Sequence, residues 1–81
     1  MKEKVREIIN GWDPIDLFPY SPKDEYEVEI NLIVDALCET KDIEFLAIKI
    51  KDIFIERFGD NVFSKNIGEC MQIAKKVVIS E

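Results

Sequence analysis

Residues 42–59 read DIEFLAIKIKDIFIERFG. Ile43, Leu46, Ala47, Ile50, Ile53, Phe54 and Phe58 recur at the i, i+3, i+4, i+7 spacing that places side chains on one face of an α-helix. Asp42 supplies a carboxylate at the N-cap, and Gly59 supplies a residue without Cβ for a left-handed C′ position. The stretch therefore predicts a helix with both ends marked. A second apolar row, Phe45, Ile48 and Ile55, lies on another side of the same helix. A helix greasy on two sides belongs in the centre of the packing or in an interface, and an 81-residue bundle has difficulty covering such a helix all round. Phe45, Ile48 and Ile55 are accordingly a candidate seam for a homo-oligomer.

The same period extends in both directions. Val5, Ile8, Ile9 and Trp12 form a short stripe that ends between Gly11 and Pro14. Tyr26, Ile30, Ile33, Val34, Leu37 and Cys38 form another, with Ser21 or Asp24 as caps, Asp24, Glu25 and Glu27 at the positive end of the dipole, and Glu25, Glu29 and Asp35 turned away. A last stripe starts near Ser64 and carries Ile67, Cys70, Met71, Ala74, Val77 and Val78, with Lys75 and Lys76 toward its negative end. Only the β-branched tail Val77-Val78-Ile79 offers a short strand as competitor. The expectation is an all-α single domain over residues 1–81, a bundle of about four helices.

Between the first two helices lies Asp13-Pro14-Ile15-Asp16-Leu17-Phe18-Pro19-Tyr20-Ser21-Pro22, with all three prolines of the chain and no glycine. It is too stiff for a continuous helix and too apolar for a free linker. An ordered plug over the helices is expected, with one helical turn at Ile15 to Phe18.

Seventeen acidic against eleven basic residues give a formal charge of −6, which repels phosphate and anionic lipid and argues against nucleic acid or a membrane surface as partner. No apolar run approaches the ~20 residues of a membrane span, and the N-terminal residues have no apolar core of a signal peptide. Cys38 and Cys70 fall at apolar helical positions and read as buried reduced thiols, which points to the cytoplasm.

Catalytic groups are scarce. The chain has no histidine, its serines sit at caps or the terminus, and its three glycines are isolated, so neither a triad, a P-loop nor a dinucleotide fingerprint can be assembled. Neither an enzyme nor a resident cofactor is expected. Carboxylates at Asp13, Asp16 and Asp24 could hold a divalent cation or small ligand, although their spacing matches no EF-hand. The aromatic residues Trp12, Phe18, Tyr20 and Tyr26 bracket the proline segment. They either fill the core beneath it or expose an anchor beside Asp16, Glu25 and Glu29 for a basic protein partner.

Trp12-Asp13-Pro14, Leu17-Phe18-Pro19, Asp24-Glu25-Tyr26, Glu29-Ile30, Ile53-Phe54, Phe58-Gly59, Phe63, Cys70 and Ile73-Ala74 together resemble the YugE-like family of small bacterial proteins. The resemblance spans nearly the whole chain and implies a compact helical domain, with no activity to carry over. A looser similarity in size, charge and class is to the immunity proteins that neutralise colicin nucleases, and no residues transfer from it. The leading expectation is a non-catalytic protein-interaction domain working through Trp12, Asp16, Phe18, Tyr20, Glu25, Tyr26 and Glu29, with neutralisation or regulation of a basic partner as its role. The alternative is a ligand- or metal-binding domain using the carboxylates between Asp13 and Glu29.

Overall fold

Asp42 begins a helix as its position predicts: its side chain accepts a 3.2 Å hydrogen bond from the Phe45 amide, and the chain is helical from Ile43 to Phe58. In a computed structural model that describes residues 2–18 and 25–80, four helices follow one another: α1 (Lys2–Trp12), α2 (Glu27–Glu39), α3 (Ile43–Phe58) and α4 (Ile67–Ile79). Helix α3 ends at Gly59, whose φ of +89° is the expected positive value, but its ψ of 153° is extended rather than left-handed helical. That region is open almost only to glycine. The tail at 77–79 stays helical.

Two helix starts differ from expectation. Helix α2 begins at Glu27, with Tyr26 at the N-cap and no capping side chain; Ser21 and Asp24 lie outside the described residues. Helix α4 begins at Ile67, because the carboxamide of Asn66, rather than Ser64, accepts the Glu69 amide at 2.9 Å.

Each helix packs on the two beside it, α1 on α2 and α4, and α3 on α2 and α4. Val5 and Ile9 of α1, Ile30, Ile33 and Leu37 of α2, Leu46, Ile50 and Phe54 of α3, and Cys70, Ile73 and Val77 of α4 meet in the core. Removing these side chains from water is the main stabilising contribution, about 1.5–3 kcal/mol for each large aliphatic or aromatic group. Helix α3 thus lies between two neighbours, not at the centre, and Phe45 and Ile48 of its second apolar row are left facing outward.

Three residues depart from the expected burial. Cys38 is exposed, since it falls past the edge of the α2 stripe, while Cys70 is buried and burial pushes its thiol pKa up. Ile67 is exposed at the first turn of α4. Glu29, expected on the outer side of α2, is buried.

Candidate functional site

After Trp12 the chain reverses at Asp13-Pro14-Ile15-Asp16, with the Asp16 amide donating to the Asp13 carbonyl at 3.0 Å. Pro14 suits the second position of such a turn. The turn precedes, and replaces, the helical turn expected at Ile15 to Phe18. Asp13 and Asp16 have φ of 47° and 60°, a region that Asp tolerates better than most residues. The Asp13 carboxylate accepts from the Leu17 amide at 2.9 Å, the Phe18 amide at 3.1 Å and the Tyr26 hydroxyl at 2.6 Å. The same hydroxyl accepts the Ile15 amide at 3.1 Å. Burial pushes the Asp13 pKa up, but its hydrogen bonds, led by the one from Tyr26, outweigh this and hold it below the ordinary value. Burial, then the bond to Asp13, raises the Tyr26 pKa.

Trp12, Phe18 and Tyr26 are engaged in ring contacts within the fold. Tyr26 is 0 % exposed and meets Phe18, Phe54 and Phe58 edge-on, with centroids 5.5–6.4 Å apart. Trp12, half-buried, meets Phe54 and Phe63 in the same manner, and its indole N–H points at Glu69 Oε2 at 3.4 Å. For Trp12, Phe18 and Tyr26 this is the core arrangement of the two expected, and Tyr20 lies outside the described residues. Such pairs add about 0.5–1.5 kcal/mol beyond the area they bury.

The carboxylates that open α2 divide between its two sides. Glu27 takes a bidentate bond from Arg6, at 2.8 and 3.0 Å, and lies 3.4 Å from Lys2. The hydrogen bond from Arg6 is the chief reason that the Glu27 pKa falls to about 2. Glu29 is 1 % exposed and turns to α3, where Arg57 Nε donates to its Oε2 at 2.8 Å; among the described residues nothing bonds its Oε1. The sequence held a signal for this placement. Glu29 stands three residues after Tyr26 and four before Ile33, inside the apolar stripe, and Arg57 stands three after Phe54.

The expected partner-binding set is therefore not one surface. Tyr26 and Glu29 are inside, Trp12 and Phe18 are half-buried in ring contacts, Asp16 and Glu25 are exposed, and Tyr20 lies outside the described residues. Asp13, the first carboxylate of the alternative ligand set, already accepts three donors, and Asp24 also lies outside the described residues. Among the described residues no three metal-ligating side chains cluster.

Exposed apolar area lies elsewhere. Phe45 and Ile48 on α3 are 46 % and 53 % exposed, whereas Ile55, the third member of that row, is half-buried against the core. Val28 and Leu32 on α2 are 47 % and 42 % exposed. Leu32, Asp35, Ala36 and Glu39 of α2 and Lys49 and Ile53 of α3 line a shallow groove between the two helices. The Lys49 ammonium stands 5.7 Å from the Phe45 ring centroid. Val28, Leu32, Asp35 and Glu39 follow i, i+4, i+7, i+11, so this outer row of α2 is also visible in the sequence once the period is followed on the polar side. A second cleft, between α1 and α4, is lined by Glu7, Ile8, Gly11, Trp12, Ile73 and Lys76.

One protein-family model matches residues 4–80, nearly the full length of this helical domain. The chain belongs to the family described as Domain of unknown function (DUF1871). No curated protein and no solved structure matches it. The family brings no activity to the clefts just described, so their chemistry is the guide to function. Among the described residues no helix is long and apolar enough to cross a membrane.

Proposed function

We propose that this member of the family is a non-catalytic protein-interaction domain of the cytoplasm that binds, and thereby neutralises or regulates, a basic partner. The observation that carries the reading is the exposure of Val28, Leu32, Phe45 and Ile48 on adjoining helices, interleaved with the exposed carboxylates Asp35, Glu39, Glu44 and Asp52. Apolar anchors set among polar groups are the usual composition of a protein-binding patch. A formal charge of −6 supports a basic partner, since complementary fields speed encounter. The YugE-like likeness, which implies only a compact helical domain, is compatible with this reading.

The working surface in this reading lies on α2 and α3 rather than around the proline segment, because Asp13, Tyr26, Glu27 and Glu29 are engaged within the fold. A photo-crosslinking amino acid placed singly at Val28, Phe45, Ile48, Val62 and Ile67 tests the reading in the cell of origin. Discrete adducts with a basic protein are expected at one or more positions. Absence of adducts at all five, with the folded protein present, overturns it.

A further inference from the structure

We infer that the α2–α3 groove is a seat for one amphipathic, basic helix of the partner protein; the inference rests on the interaction reading above. Glu29 and Arg57 pair at one end of the two helices and the short 40–42 connection joins them at the other, so α2 and α3 run antiparallel and the groove follows both axes. Leu32, Ala36 and Ile53 form an apolar floor, deepened where alanine takes the place of a longer side chain. From Leu32 to Glu39 the α2 wall of the groove advances about 10 Å at 1.5 Å per residue, the length of roughly two helical turns and of an i to i+7 row on a partner helix.

A helix fits this floor better than an extended chain. The groove is walled by side chains of two helices whose backbone hydrogen bonds are internal, so an extended peptide would find no sheet edge to pair with. A helix satisfies its own backbone and presents apolar groups at i, i+3/i+4 and i+7 to such a groove. The charge of the walls sets its polar face. Asp35 and Glu39 stand on the α2 side, and exposed Asp52 and Glu56 share the α3 stripe of Phe45 and Lys49. Lys49 is the single cation on these two stripes among the described residues, and it lies over the Phe45 ring. Lysine or arginine flanking the partner's apolar row would meet carboxylates on both sides. A second copy of this chain seated face to face would instead double the excess of negative charge, which disfavours the homo-oligomer that Phe45, Ile48 and Ile55 suggested.

The test uses the full 81-residue protein and three synthetic peptides of about 20 residues. The first combines Lys and Leu in a helical period, the second has the same composition shuffled, and the third carries Glu in place of Lys. The helical basic peptide is expected to bind at least tenfold more tightly than either control at low salt. It should shift the amide signals of residues 28–39 and 45–56. Leu32→Lys and, separately, Asp35→Lys should each weaken binding several-fold or more with circular dichroism unchanged, while Val62→Lys leaves it as it was. Equal binding of the shuffled peptide, shifts centred on the α1–α4 cleft, or no binding at low salt overturns the inference. So does a dimer in sedimentation that Leu32→Lys dissolves. Crosslinks confined to Val62 or Ile67 would overturn the groove and leave the interaction reading standing, whereas absence of crosslinks at every position removes both.

Discussion

The Tyr26 hydroxyl donates a 2.6 Å hydrogen bond to Asp13 Oδ1 and so ties the N-cap of α2 to the turn that leaves α1. Tyr26 also lies fully inside the ring cluster, so one side chain fixes both the core and the path of the chain over it. Replacing it by Phe keeps the ring and removes only the oxygen. A hydrogen bond to a charged group contributes about 1.5–3 kcal/mol, and the Ile15 amide loses its acceptor as well. Tyr26→Phe is therefore expected to lower stability by roughly 2–3 kcal/mol, read as a lower denaturant midpoint at unchanged m-value.

This pair also bounds stability in pH. Asp13 has a folded pKa below its unfolded value of about 3.9. Its contribution is complete above that value and is lost as pH falls through it toward the folded pKa. Glu27, held at about 2, adds to the same acid loss. Tyr26 has a folded pKa above its unfolded value of about 10, so its contribution is complete below pH ~10 and is lost as pH rises beyond it. Urea midpoints measured from pH 2 to 11 should fall at both ends. Asp13→Asn should reduce the acid loss to the part that Glu27 contributes, and Tyr26→Phe should flatten the alkaline limb.

The pair Glu29 and Arg57 predicts an asymmetry. Arg57→Ala leaves a fully buried carboxylate without the donor to Oε2, when its Oε1 is already unbonded among the described residues. Glu29→Met leaves a guanidinium that is half exposed and can hydrate. Breaking a buried pair by removing one partner destabilises by about 3–5 kcal/mol, and the half-exposure of Arg57 reduces that. We expect a loss of roughly 2–3 kcal/mol for Arg57→Ala and a loss under about 1 kcal/mol for Glu29→Met. Equal effects in thermal melts would show that the arginine contributes packing rather than charge.

Helix α3 was legible in the sequence because its period and both end residues are local. Asp42 caps it and Gly59 stops it without reference to the rest of the fold. Glu29 was misread because its partner stands 28 residues away, and a glutamate in an amphipathic helix is ordinarily solvated. The start of α2 was misplaced for a related reason. Tyr26 resembles no cap, and its hydroxyl is committed to a turn thirteen residues earlier in the chain. Of the rings expected around the proline segment, Trp12, Phe18, Tyr20 and Tyr26, all but Tyr20 are among the described residues and stand in the cluster, but Phe54, Phe58 and Phe63 join it through tertiary packing that no spacing within one helix encodes. The outer row of α2, Val28 and Leu32 with Asp35 and Glu39, is encoded in the same helical period as the buried stripe, but two apolar residues among carboxylates give a weaker signal than the continuous inner row.

The contrast between the inner and outer faces of α3 gives the last prediction. Ile50 is fully buried, whereas Ile48, two residues earlier, is 53 % exposed. Ile50→Ala should lower stability by about 2–5 kcal/mol through lost burial and the cavity left behind. Ile48→Lys removes little buried area and places a good helix former on a solvated face, so a change within about 0.5 kcal/mol is expected. Phe45→Lys should behave in the same way, apart from losing the ring beneath Lys49, a contact of about 0.5–1 kcal/mol at an exposed site. If both lysine variants melt with the parent protein while Ile50→Ala does not, the exposed row is not maintained by the fold's own stability. A loss of more than about 1.5 kcal/mol at Ile48 would instead mean that this side chain is covered in solution, and sedimentation at the same concentration would show whether a second copy covers it.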